Sequence, residues 1–144
     1  MKTSSDMQEI IEELMREHRD ILMLFLQAFA LDINSDKGKS IFKNAFLDLQ
    51  LHDDKEELMI YKPIRDSYLD KNNPEDLNIF RDIKLFGIEK TLMAINDFEN
   101  SLDNDDSPIN KHLESKYLLV IEAIKQRVKF EEQVLFELFK RIKS

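Results

Sequence analysis

An all-α chain, folded as an up-down-up-down antiparallel bundle of four helices, is what this sequence predicts. Three observations carry the prediction. Only two glycines and three prolines occur in 144 residues, so little in the chain breaks a helix. Apolar residues recur at alternating intervals of three and four along long stretches, the spacing that sets one face of a helix against a core. Short segments rich in Asp, Asn, Ser and Pro separate those stretches, so each helix can fold back on the one before it. The length suits one domain, expected to span residues 1–144.

Composition removes whole classes of function. There are no cysteines, which excludes disulfides, zinc fingers, iron–sulfur clusters and thiol catalysis. The net charge of −8 comes with no basic stripe to neutralise phosphates, so no nucleic-acid partner is expected. The first residues lead straight into an amphipathic helix without an apolar signal core, and no run approaches a membrane span. A soluble, cytoplasmic protein is the expectation.

The first helix is expected to begin at Ser5 or Asp6, either able to cap it with Glu9 assisting, and to end near Leu31. Its seam is Met7, Ile11, Leu14, His18, Ile21, Phe25 and Ala28, with a histidine in the middle of an apolar stripe. Taken alone, His18 reads as a core histidine with a hydrogen-bond partner. Residues 32–38 form a turn. Oxygens at Asp32, Asn34 and Asp36 resemble a calcium loop, but Gly38 is one place late and Lys43 stands where a bidentate glutamate is required. It reads as a solvated turn.

The second helix is expected from about Lys39 to Tyr68, with Pro63 kinking or ending its regular part. Its seam is Phe42, Ala45, Leu49, His52, Glu56, Met59 and Pro63. His52 and Glu56 thus point inward one turn apart, where an imidazole nitrogen and a carboxylate oxygen can reach one metal ion. After the turn at residues 70–74, a third helix should run from Pro74 to about Ser101. Its apolar positions, Phe80, Ile83, Leu85, Ile88, Leu92 and Ile95, are less regular, and Glu89 lies between two of them, inward or on the flank. A capping-type turn at 103–108 precedes a fourth helix, unbroken to the end. Its seam is Leu113, Tyr117, Val120, Ile124, Arg127, Glu131, Val134 and Leu138, with two charged residues at successive inward positions.

These polar positions share a depth. His18 and His52 each lie about 17 residues from the first turn, so in an antiparallel pair at ~1.5 Å per residue they meet at one level. Glu56 and Glu89 flank the second turn at a similar distance, and Arg127 lies within about a turn of the same level. A polar layer crossing an apolar bundle follows, because unpaired buried polar groups are too costly to recur on several helices without a purpose.

Three segments resemble a known family. Glu17-His18-Arg19-Asp20-Ile21-Leu22, the stretch from His52 through Glu56 to Tyr61-Lys62-Pro63, and Lys129-Phe130-Glu131-Glu132-Gln133-Val134-Leu135-Phe136 are similar to the hemerythrin-like, or HHE cation-binding, domain. The resemblance covers nearly the whole chain and is poorest in the third helix. It implies a four-helix bundle with a non-haem di-iron site, used for oxygen binding, oxygen or iron sensing, iron storage and sometimes peroxide chemistry. His18, His52, Glu56 and Glu131 match the ligands of one iron and the carboxylates both irons share. The other iron needs histidines from the third and fourth helices, where this chain has Glu89, a tentative ligand, and Arg127, which cannot deprotonate to bind a metal.

Three outcomes are compatible with that pattern. One is a module holding one iron, or another divalent metal, with Arg127 supplying charge where the second ion would sit and O2 or another diatomic as its ligand. Another is a metal-free bundle with a closed polar network, acting as a regulatory or interaction module. The last is an enzyme using the metal for oxygen or peroxide chemistry. No other catalytic pattern is present: there is no phosphate loop, no Ser-His-Asp arrangement, and no ExxH pair of the ferritin type. His112 reads as a surface residue and Tyr117 as a core tyrosine with a satisfied hydroxyl. Met15, Met23, Met59 and Met93 are expected to fill the core, and Asp53-Asp54 to be solvated surface.

Overall fold

The structure, a computed structural model, describes the backbone of residues 4–104 and 111–143. Among them all regular structure is helical. Helix α1 is Ser4–Ala30. Helix α2 covers residues 36–70 in three parts: α-helical over Asp36–Glu56, a wider π-turn over Glu57–Tyr61, and α-helical again over Lys62–Asp70. Helix α3 is Pro74–Asn104. Helix α4 covers 111–143 and is likewise divided: Lys111–Phe130, a π-turn over Glu131–Leu135, and Phe136–Lys143. The capping turn expected at 103–108 falls mainly on residues outside those described.

The first connection is tighter than its composition suggests. Ser35 caps α2, its hydroxyl accepting from the Gly38 N–H at 3.0 Å, which starts the helix three residues before Lys39. Asp32 adopts a φ of 68°, and Ile33 is buried beneath the turn. Gly38 is needed because a Cβ there would collide with the Asp32 carbonyl oxygen.

Two apolar clusters establish the direction of each helix. One joins Met7, Ile11 and Leu14 from the start of α1 to Ile60, Tyr61 and Ile64 from the end of α2, Leu77 and Phe80 from the start of α3, and Leu135, Phe136 and Phe139 from the end of α4. The other joins the opposite ends, around Phe25, Phe42, Phe98 and Tyr117. Start packs with end throughout, so the helices run up, down, up and down. Tyr117 is buried in this second cluster, and its hydroxyl donates to the Phe25 carbonyl oxygen. Between the clusters lie the buried polar residues His18, His52, Glu56, Thr91, Arg127 and Glu131.

The α1 seam is buried at every expected position. In α2 and α4 the expected seam holds as far as Glu56 and Glu131 and then slips by one residue. Ile60 and Ile64 are buried where Met59 and Pro63 were expected, and both of those are half-buried. Leu135 and Phe139 replace Val134, which is 50% exposed, and Leu138, which is half-buried. The cause is the π-turn in each helix, which closes hydrogen bonds five residues apart and so inserts one extra residue: the Lys62 N–H reaches Glu57 and the Phe136 N–H reaches Glu131. Pro63 has no N–H to offer the Met59 carbonyl, which opens the ladder beside the first π-turn. Nothing local in the α4 sequence accounts for the second.

Helix α3 differs most from expectation. Its inward positions are Leu77, Phe80, Lys84, Gly87, Thr91, Ile95 and Phe98, while Ile83, Leu85 and Leu92 are exposed. Because the middle of this face is not apolar, apolar spacing selects the flanks instead. Met15, Met23 and Met93 are exposed rather than core-filling, since each lies one or two residues off a buried position and so turns outward. His112 is exposed, as expected.

Candidate metal centre

His18 from α1, His52 and Glu56 from α2, and Glu131 from α4 converge at mid-height. One ligand atom from each lies within 4.8 Å of the other three. The His18 Nε2 is 3.0 Å from Glu56 Oε1 and 3.0 Å from Glu131 Oε2, and the His52 Nε2 is 2.8 Å from the same Glu56 oxygen. All four residues are at most 3% exposed. The two imidazoles meet edge to face with ring centroids 4.6 Å apart, and Phe136, brought inward by the α4 π-turn, stacks on His18 at 5.7 Å.

The outer nitrogens are held as well. The Nδ1 of His18 is 3.1 Å from Glu132, and the Nδ1 of His52 is 2.7 Å from Glu17. Lys55 in turn donates to Glu17 and to Glu13, each at 2.6 Å. A carboxylate behind each imidazole fixes the ring and its tautomer so that Nε2 faces the centre, the arrangement that supports a metal-binding histidine. Sequence spacing singled out neither Glu17 nor Glu132. Each is the chain neighbour of a predicted ligand, which is the signal that could have found them.

Charge in the cluster is compensated by protons. Burial alone would lower the His18 pKa, but hydrogen bonds to Glu131 and Glu56 outweigh it and raise the group to about 10. His52 is raised against its burial by Glu56 and Glu17. Burial would raise Glu56, yet the hydrogen bonds from His18 and His52 hold it down at about 2. Glu131 is pushed up, first by burial and then by the charge of Glu56. One atom remains unmatched among the described residues: Glu56 Oε2 is buried without a hydrogen-bond partner. A buried carboxylate oxygen without a donor, beside two oriented imidazoles, fits a cation better than it fits a closed polar network.

Arg127 occupies the side of the layer toward α3. It is 7% exposed, donates from Nε to Glu131 Oε1 at 3.0 Å, and grips Asp53 with both terminal nitrogens. Asp53 is therefore half-buried and paired rather than solvated surface. The inward arginine demanded a second acid, and the residue after an inward His52 supplied it. The Tyr61 hydroxyl donates to Glu131 Oε1 at 3.3 Å. Glu89, the tentative ligand from the third helix, is exposed and outside the cluster. It lies two residues from both Gly87 and Thr91, so it projects about 200° away from the inward face. In its place Gly87 leaves a cavity of about 230 Å³ between α3 and α4, bordered by Arg127, Tyr61 and Glu131.

No protein-family model, curated protein or solved structure matches this chain. Among the described residues no helix is long and apolar enough to cross a membrane.

Proposed function

We propose that the chain is a hemerythrin-like protein with half of a di-iron site. It holds one divalent ion, iron first among the choices, through His18, His52, Glu56 and Glu131, and binds or senses O2 or another small diatomic rather than turning over a substrate. The observation that supports this most is the double orientation of both histidines: the His18 Nε2 meets Glu56 and Glu131, the His52 Nε2 meets Glu56, and each Nδ1 is backed by an outer carboxylate. Two imidazoles and two carboxylates suit iron, zinc or manganese. Bound iron supplies redox change and affinity for small ligands. The chain orients the imidazoles, excludes bulk water, and places Arg127 where its charge is available without a second ion.

Arg127 also supports the alternative of a metal-free regulatory bundle, because it pairs with Asp53 and Glu131 without any metal ion. One experiment separates the two. Untagged protein is purified, loaded anaerobically with ferrous iron, and analysed for metal content and absorption beside His52→Ala. The half-site reading expects one ion per chain, a spectrum that responds to O2, azide or nitric oxide, and no ion in the variant while its circular dichroism stays helical. Wild-type protein that retains no metal establishes the metal-free bundle, and two ions per chain overturn the half site.

A further inference from the structure

The cavity between α3 and α4 has a chemistry of its own. Its volume of about 230 Å³ exceeds the roughly 150 Å³ that admits benzene to an apolar interior. A Cβ built on Gly87 would have the Arg127 Cγ as its nearest contact, at 4.0 Å, so the inner wall presents the arginine's aliphatic stem. The guanidinium itself is turned to Asp53 and Glu131. Phe86, Ala123 and Phe130 add further apolar surface.

Charge at this place opposes that of the chain. In a protein of net charge −8, the lining holds three basic residues, Lys84, Lys90 and Arg127, against one acid, Glu131. Lys84 is committed to Glu57 and lies 4.3 Å from the centre of the Tyr61 ring. Lys90 is exposed and donates to the neutral amide oxygen of Gln126 at 2.9 Å, so its charge meets a dipole there rather than a carboxylate.

We propose that this cavity binds a small organic monoanion: a ring-sized apolar body seated against Phe86, Ala123 and Phe130, carrying one carboxylate at Lys90. Burial of the body supplies affinity. The carboxylate stays hydrated at the rim, so no charge is stripped of water, and Lys90 selects its sign. The site uses neither histidine and needs no metal, so it goes beyond the metal reading and stands or falls apart from it.

The test titrates the full chain, treated with a chelator and labelled with ¹⁵N, with 3-phenylpropionate and with the neutral 3-phenylpropan-1-ol. Saturable shifts at Gly87 and Ala123 are expected for the acid. The alcohol should bind about fivefold more weakly, the worth of one partly exposed charge pair. Lys90→Met should reduce the acid to the affinity of the alcohol. Gly87→Leu, which fills the cavity from α3, should weaken both probes by about tenfold or more, and Ala123→Leu does the same from α4 if the first variant fails to fold. Equal affinity for acid and alcohol in the wild type, no saturation by the acid, or undiminished binding in a folded filled variant overturns the proposal.

Discussion

The polar layer solves the same electrostatic problem in two ways on its two sides. Toward α1 and α2, buried carboxylates face His18 and His52, cations only while they hold a proton. Toward α3 and α4, Glu131 and Asp53 face Arg127, whose charge does not leave. A proton can be exchanged for a metal ion and a guanidinium cannot. The first side is therefore open to exchange and the second is closed. The apolar surroundings differ as well: Phe136 stacks on His18, whereas Gly87 leaves a cavity beside the arginine.

The sharpest way to probe that contrast is pH. Metal entering the histidine side must displace protons, and His18 keeps its proton up to about 10. Metal affinity should therefore rise with pH across the neutral range, by about tenfold per pH unit for each proton displaced. In the metal-free chain the sign reverses. The folded pKa of His18 lies above its unfolded value, so its contribution to stability is complete below about 6.5 and is lost as pH rises through about 10. Glu56, depressed to about 2 in the fold, contributes above about 4.5 and loses that contribution as pH falls towards 2. Metal-free protein should be most stable in mildly acidic solution, and metal should move the optimum upward. Denaturant melts with and without ferrous iron at several pH values check this, and an affinity flat from pH 6 to 9 would break the contrast.

Removing the fixed cation has the next largest effect. Arg127→Ala takes from Asp53 its buried cation and leaves Glu131 with only His18 and Tyr61, and the expected loss in the metal-free protein is about 3–5 kcal/mol by urea denaturation. Arg127→His converts the closed side into an open one, and metal content should rise from one ion towards two under excess iron. A variant as stable as the wild type would show that the arginine compensates nothing.

The outer carboxylates come third. Glu17→Gln and Glu132→Gln keep the shape but weaken the acceptor behind each histidine. Metal affinity should fall about 10–100-fold in each. Competition with a chromophoric chelator measures it. Glu17→Gln also loosens Lys55, so its thermal melt should fall slightly where that of Glu132→Gln does not.

Legibility in the sequence followed the same division. The four inner residues of the histidine side, His18, His52, Glu56 and Glu131, could be read from helical spacing, because each lies at or before the point where the helices stop being regular, whereas Glu17 and Glu132 behind them could not. His52 and Glu56 precede the first π-turn, and Glu131 opens the second. Beyond those points a period of about 3.6 misplaces each buried residue by one, which is why Val134 was expected where Leu135 is buried. On the arginine side spacing placed Arg127 inward, where it is buried, but missed its surroundings. Lys84, Gly87 and Thr91 face inward without being apolar, so periodicity locks onto Ile83, Leu85 and Leu92 on the flanks. Asp53 was hidden for a different reason: its partner, Arg127, reaches across from another helix, and spacing within one helix carries no record of that.

The smallest expected effect decides whether α3 takes part in the centre at all. Glu89 occupies the position that four-helix symmetry would give to a ligand, yet its side chain is exposed and the inward neighbours are a glycine and a threonine. The Thr91 hydroxyl is already bonded to the Gly87 carbonyl oxygen at 3.0 Å. Glu89→Ala should accordingly change stability by no more than about 0.5 kcal/mol, the ordinary range for an exposed substitution. It should leave iron stoichiometry and the pH dependence of uptake as they are in the wild type. Thr91→Val serves as the control on the inward face, since losing a buried hydroxyl there costs stability without removing a ligand. If Glu89→Ala lowered metal content while Thr91→Val did not, α3 would have to rotate by about half a turn on metal binding. The closed side of the layer would then be closed only in the absence of the ion.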